Sequence, residues 1–254
     1  MAALKRIVHA IFMSLGMFCA IPCPYRPWDD GARNLMVAFL PLVGALVGLV
    51  WWGVSALLAL FGAPAPLAAA LLCAAPHLAA GFLHLDGFMD TSDAILSRRP
   101  AEEKLRILKD PHTGAFAVIS LAMLLLVSFG ACLTLAERRT GLPALFFLPV
   151  IVRACAGTAA SFMRPLGHSQ YAGAYRERTQ AVHALIPCLL GLTALAASAL
   201  LYGAPSLLPL AAAAGAYALA ARGASRALGG FSGDLSGYAL VIAEAGGLVA
   251  LALL

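Results

Sequence analysis

The sequence predicts an all-α, polytopic integral membrane helix bundle, with about seven transmembrane helices and a short N-terminal interfacial helix. Two observations carry this expectation. The 254-residue chain is 62% hydrophobic and 11% charged, whereas soluble domains run at about 45–50% apolar and about 25% charged. Uncharged apolar stretches also recur along the whole length, each close to the roughly 20 residues that a helix needs to cross a bilayer. No linker, low-complexity tract or internal repeat divides them, so residues 1–254 are expected to form one integral membrane domain.

The first apolar run, 7–21, follows Lys5 and Arg6 and so has the basic head and short hydrophobic stretch of a signal peptide. The following IPCPYRPW lacks a small-x-small cleavage pattern, and the run is expected to be an interfacial or re-entrant helix. Length and lack of charge then place spans at 35–60, 67–83, 115–136, 142–163, 184–201, 206–221 and 238–254. Small residues such as those of PLVGALVG (41–48) let such helices approach closely.

Basic residues orient this array, because loops rich in Lys and Arg stay cytoplasmic. With the N-terminus inside, all of the 17 Lys and Arg residues except Arg138, Arg139 and Arg153 fall in inner segments, Arg153 lying within a span. The net charge of +5 is thus explained by membrane orientation and requires no nucleic acid. The six cysteines (19, 23, 73, 132, 155 and 188) show no C-x-x-C spacing and read as small polarizable packing residues.

The same topology brings the polar stretches 22–34, 84–113, 164–182 and 222–236 to the cytoplasmic side. Within the main acidic loop, 84–113, HLDGFMDTSD concentrates three of the 12 acidic residues in ten positions. Asp86, Asp90 and Asp93 are spaced i, i+4, i+7, which on a helix places them at 0°, about 40° and about −20°. Three like charges on one face repel one another, and no Lys or Arg lies between His84 and Ser97 to offset them. Mg2+, a hard cation that takes carboxylate and phosphate oxygens, is the natural counter-ion. Helix capping and the helix dipole account for one or two of these aspartates, but not for three on a stripe where an apolar span ends. His84 would sit about 160° around a continuous helix from Asp86, and its role is open from spacing alone.

Downstream, Pro100, the early Glu102 and Glu103 and the late Lys109 suit a short cytoplasmic helix. The turn KDPHTG then returns Lys109, Asp110 and His112 to the membrane, where cationic groups opposite a Mg2+ cluster could hold a phosphate anion. Near the C-terminus, LGGFSGDLSGYAL carries Gly233, Asp234 and Gly237, a backbone able to approach a phosphate or nucleotide. Glu244 lies further along the final span, near this site or against a buried partner. Arg153 within a span is a substrate-contact candidate by its position alone, with Arg164, Arg176 and Arg178 following.

These motifs together resemble the cobalamin synthase family, the adenosylcobinamide-GDP ribazoletransferases. His84, Leu85, Asp86, Gly87, Asp90, Thr91 and Asp93 match the family's first motif. Lys109, Asp110 and Gly114 match the second, and Gly229, Gly233, Asp234 and Gly237 the third. FCAIPCPYRPW and FLPLVGALVG fit its N-terminal segment and first span, so the resemblance covers nearly the whole chain. Ala20, Ala94, Pro111, His112 and Ala117 depart from the family pattern, marking a divergent member.

The resemblance implies the final assembly step of cobalamin (cobamide) biosynthesis: adenosylcobinamide-GDP joined to α-ribazole or its 5′-phosphate, with release of GMP. It implies a Mg2+ cofactor on Asp86, Asp90 and Asp93, with Asp234 as a further ligand or nucleotide contact, and substrate contacts from Lys109, Gly233 and Gly237; His112 and Arg153 are substrate-contact candidates by their position in the chain. His84 or Asp110 would take the proton of the attacking hydroxyl. The site would face the cytoplasm from the inner (plasma) membrane. A CDP-alcohol phosphotransferase also begins its motif with Asp-Gly, but FMDTSD after Asp86-Gly87 fits its pattern poorly. An ion-coupled transporter would distribute acids across the bilayer, whereas here they gather on one side.

Overall fold

The computed structural model describes residues 2–138, 143–167 and 180–254; Arg139, Arg176 and Arg178 lie outside the described residues. Eleven α-helices are described: α1 (Ala2–Phe18), α2 (Arg33–Ala38), α3 (Leu40–Leu60), α4 (Ala65–Ala79), α5 (Leu83–Leu96), α6 (Ala101–Ile107), α7 (Ala115–Arg138), α8 (Ala144–Phe162), α9 (Gln180–Tyr202), α10 (Leu207–Leu228) and α11 (Gly233–Leu253). The described residues contain no strand, only an isolated parallel bridge between Pro165 and Phe231. The all-α membrane bundle expected from composition is the architecture found.

Six helices are individually long and apolar enough to cross a membrane, and α4 with α5 makes a seventh candidate bent by 93°. The continuous span expected at 67–83 is therefore corrected. Helix α4 ends at Ala79, and its 15 residues are too few for a straight crossing. Gly81 and Phe82 both take left-handed conformations, with φ of 67° and 62°, which stops one helix and redirects the next. A bulky residue rarely adopts this conformation, at a cost of about 1–3 kcal/mol; the turn is bonded on both sides, Phe82 N–H donating to His77 O and Asp86 N–H to Phe82 O, each at 3.0 Å. Two smaller corrections concern the ends of spans. The first span divides at Phe39 into α2 and α3, and the loop expected at 222–236 shrinks to 229–232 as α10 runs to Leu228. Gly229, with φ of 80°, closes α10, and Ser232 caps α11 by accepting a hydrogen bond from the Leu235 N–H.

The bundle is centred on α8 and α11, each 61% buried over its apolar window, against 22% for α7 and α9. Helix α3 packs on α8, while α10 and α5 pack on α11. The α3–α8 contact uses the small residues of PLVGALVG: a Cβ added at Gly44 would lie 2.5 Å from the Pro149 carbonyl oxygen, and one at Gly48 would overlap that of Phe146. Close backbone approach of this kind replaces the hydrophobic drive that lipid cannot supply. All six cysteines are free.

The two central helices are also joined by charge. Arg153 on α8 donates from Nη1 to Glu244 Oε1 on α11 at 2.7 Å, and Arg153 is 0% exposed. A lone charge here would be desolvated with nothing to offset it, so each residue depends on the other. Glu244→Gln or Arg153→Met is expected to destabilise the protein by about 3–5 kcal/mol, with the double apolar variant R153M/E244L recovering most of the loss. Thermal unfolding midpoints of the detergent-solubilised variants check this; equal midpoints for single variants and wild type would refute a structural role for the pair.

Candidate active site

The turn at 80–82 starts α5 at Leu83, and the HLDGFMDTSD segment is helical throughout. Asp86, Asp90 and Asp93 therefore share one helix face as their spacing predicts. Asp86 is exposed, Asp90 and Asp93 are half-buried, and Asp90 lies in the combined field of Asp86, Asp93 and Asp234. None of the four carboxylates forms an ion pair with a described cation.

Asp234 reaches the stripe because α5 and α11 touch backbone to backbone. A Cβ on Gly87 would lie 2.8 Å from Asp234 Cα, and one on Gly237 would lie 3.2 Å from the His84 carbonyl oxygen. Phe88 stacks on Tyr238 across the same seam, with ring centroids 5.6 Å apart. Gly237 is buried, so its first task is to let the helices approach. On the far side of α5, a Cβ on Gly114 would overlap the Asp93 carboxylate. The glycine that ends KDPHTG thus leaves room for an aspartate of the stripe.

A cavity of about 350 Å3 opens on the same end of the bundle. His84, Lys109, Ser232, Asp234 and Ser236 supply its polar wall, with Gly233 and Gly237 between them. The rest is apolar: Met17 and Phe18 from α1, Leu83 and Leu108, Ala156, Ala160 and Met163 from α8 and its end, and Leu166, Phe231 and Leu240. The N-terminal helix is tied in place where the Ala20 N–H and Cys19 Sγ both donate to the Ala79 carbonyl oxygen, at 2.8 and 3.2 Å. The Pro165–Phe231 bridge holds the opposite wall, with Leu166 N–H donating to Phe231 O at 2.8 Å.

The expected site residues fall into three groups. His84, Lys109, Gly233, Asp234 and Gly237 line the cavity, and Asp86, Asp90 and Asp93 form the neighbouring carboxylate face. His84 Nε2 is buried without a hydrogen-bond partner, a condition rare enough in native proteins to require a reason. Asp110 and His112 are exposed and do not line the cavity. Asp110 accepts from the His112 backbone N–H at 3.0 Å and pairs with its Nδ1 at 2.7 Å. These bonds, the backbone one foremost, hold the Asp110 carboxyl below the usual carboxylate range. Arg153 faces Glu244 in the bundle interior and not the cavity. Arg164 is exposed, its carbonyl bonded to Phe231 N–H. The apolar lining from α1 and α8 has no motif signal in the sequence, whereas Ser232 and Ser236 flank Asp234 in FSGDLSG and were there to be read.

The sequence profile of the cobalamin-5-phosphate synthase family matches residues 10–252. The chain belongs to the cobalamin-5-phosphate synthase family. An adenosylcobinamide-GDP ribazoletransferase of Clostridium perfringens strain 13 is 38% identical over 253 residues, covering 99% of this chain and 100% of that protein. The enzyme of that name from Pseudomonas putida strain W619 is 39% identical over 219 residues, 84% of this chain and 85% of its own. One from Clostridium botulinum strain Eklund 17B reaches 47% over 151 residues, 59% of this chain and 60% of its own. No solved structure matches significantly. Family membership makes this chain a multi-pass membrane transferase of cobamide biosynthesis.

The donor set of this synthase suits a hard cation. Among the described residues no three His, Cys, Asp or Glu side chains converge into a ready metal cage. Mg2+ does not need one, since it keeps several waters and binds through one or two carboxylates together with substrate phosphates. Exposed and half-exposed aspartates without described cationic partners are chemically fit for that mode.

The seam itself can be tested. Gly87→Ala sets a methyl against the Asp234 backbone, which cannot swing aside, and so forces α5 from α11. Because a misplacement of about 1 Å costs about 10²-fold in rate, transferase activity is expected to fall about tenfold or more. Gly53→Ala, where nothing lies within 4 Å, is expected to leave activity unchanged. Equal activity of both variants in membrane fractions would show that the close approach does not matter.

Proposed function

We propose that this synthase joins the phosphocobinamide group of adenosylcobinamide-GDP to α-ribazole 5′-phosphate and releases GMP, at the cytoplasmic face of the inner (plasma) membrane. The observation that carries this reading is the meeting, at the α5–α11 seam, of a four-carboxylate face with a largely apolar cavity. With Mg2+ bound, the first would suit a diphosphate, and the second suits an organic acceptor. The curated relatives carry the name adenosylcobinamide-GDP ribazoletransferase, and the family description specifies a cobalamin 5-phosphate product, which supports the phosphorylated acceptor. The concentration of Lys and Arg in the segments at the site's end of the bundle supports the cytoplasmic orientation.

In the proposed reaction the acceptor's ribose hydroxyl attacks the phosphorus that bears cobinamide. A new P–O bond forms, the P–O bond to GMP breaks, and GMP leaves with the electron pair. Asp86, Asp90 and Asp93, with Asp234 beside them, would hold Mg2+, which supplies positive charge for the diphosphate and the departing GMP. Lys109 at the cavity rim contributes a second cation for phosphate oxygens. His84 would take the hydroxyl proton: it is a lining residue of the cavity whose Nε2 is buried without a hydrogen-bond partner, whereas Asp110 is committed to His112.

Membrane fractions supplied with adenosylcobinamide-GDP, α-ribazole 5′-phosphate and Mg2+ are expected to release GMP and form a cobamide. Chelation of the metal or Asp90→Asn is expected to abolish both. A folded wild type that forms no cobamide would refute the reaction, and a fully active Asp90→Asn would refute the metal site. His84→Gln is expected to lower kcat by about 10²–10⁴, the usual worth of a general base, with little change in either KM. Loss confined to KM would make His84 a binding residue and not the base.

A further inference from the structure

We infer that the cavity seats the flat heteroaromatic base of the acceptor nucleoside, with the ribose directed at His84; this rests on the function proposed above. Among the described residues the cavity's polarity is one-sided. Its polar groups belong to α5, Lys109 and the start of α11, while the opposite wall is formed by aliphatic and aromatic groups such as Met17, Ala160, Met163 and Leu166. A ligand satisfying both walls has an apolar body and a single polar end.

The two substrates offer three large bodies. A corrin ring fringed with amides is too bulky for about 350 Å3, near the lower end of the roughly 300–1,000 Å3 of small-molecule sites. The donor's guanine fits by size, but its several edge donors and acceptors would be desolvated against the apolar wall without partners. A benzimidazole-type base has little polar edge to desolvate and would exchange water for apolar contact over both ring faces. Seated there, it leaves its ribose at the polar wall, beside His84, Asp234 and Ser236. The rim cation Lys109 would then lie on the side of the acceptor's phosphate and of the donor's diphosphate.

Small residues on α8 give the slot its depth. Ala160 lines it and is only half-buried, so a longer side chain there would project into the space without disturbing the bundle centre. Met163, just past the end of α8, limits it at another point. These positions are predicted to set which base is accepted.

The test uses the full-length protein in lipid nanodiscs with adenosylcobinamide-GDP and Mg2+. The acceptors are the nucleoside 5′-phosphates of dimethylbenzimidazole and of a larger tricyclic naphthimidazole. Ala160→Leu is expected to raise KM for the dimethylbenzimidazole acceptor about tenfold, the scale of a few misplaced methylenes, with the donor KM within about twofold of wild type. Met163→Ala is expected to shift the kcat/KM ratio of the two acceptors about tenfold towards the tricyclic base, and it stands as the test if Ala160→Leu fails to fold. A rise in donor KM alone would assign the cavity to the donor and overturn the inference, as would an unchanged acceptor ranking in Met163→Ala. An inactive wild type would instead overturn the proposed reaction on which the inference rests.

Discussion

The site depends on the backbone contact between α5 and α11. Gly87 and Gly237 leave no side chain between the helices, so Asp234 arrives beside a stripe that begins about 150 residues earlier in the chain. Four carboxylates in one place is an arrangement that electrostatics opposes, since each disfavours ionisation of the others. The packing energy of the seam, including the Phe88–Tyr238 stack, must exceed that repulsion when no cation is bound. Binding of a divalent ion would remove the opposition, so occupancy of the site and stability of the seam are thermodynamically linked.

The bilayer explains why the acids lie where they do. Charged groups are expensive within the hydrocarbon, and the one buried pair among the described residues, Arg153–Glu244, is closed on itself between the two central helices. The carboxylates of the stripe have no such partner among the described residues and are delivered to the end of the bundle. The 93° turn between α4 and α5 does this: α4 stops short of a full crossing and α5 carries its aspartates away at an angle. The left-handed Phe82 is strained backbone at the point where the site begins, a cost that its surroundings sustain.

Most of the fold was legible because the bilayer imposes a simple code of length and apolarity. The carboxylate stripe was legible for the same kind of reason, a helical period acting on residues close in sequence. What escaped depends on three-dimensional packing. No local pattern distinguishes a span from a helix broken at 80–82 when Phe82, and not glycine alone, adopts the left-handed conformation. Gly237 reads as phosphate-binding backbone until His84 is seen against it. Arg153 reads as a substrate contact until Glu244, 91 residues away, is found within 2.7 Å. The apolar cavity wall is made of alanines and methionines that look like any other membrane residues.

The angular position of His84 acquires meaning from this arrangement. About 160° around the helix from Asp86, it appeared detached from the acidic face. In the structure His84 and Asp234 line the cavity, while Asp86, Asp90 and Asp93 lie on another face of α5. Displacement at phosphorus requires the entering and leaving oxygens to lie roughly in line, so the group that accepts the hydroxyl proton and the groups that offset the leaving phosphate's charge belong on different sides of the reacting atom. In the proposed reaction Asp234, which lines the cavity with His84 and lies in the field of Asp90, would join the two sides. The 3.6-residue period that gathers the three carboxylates is also what turns His84 away from them, to the wall of the cavity.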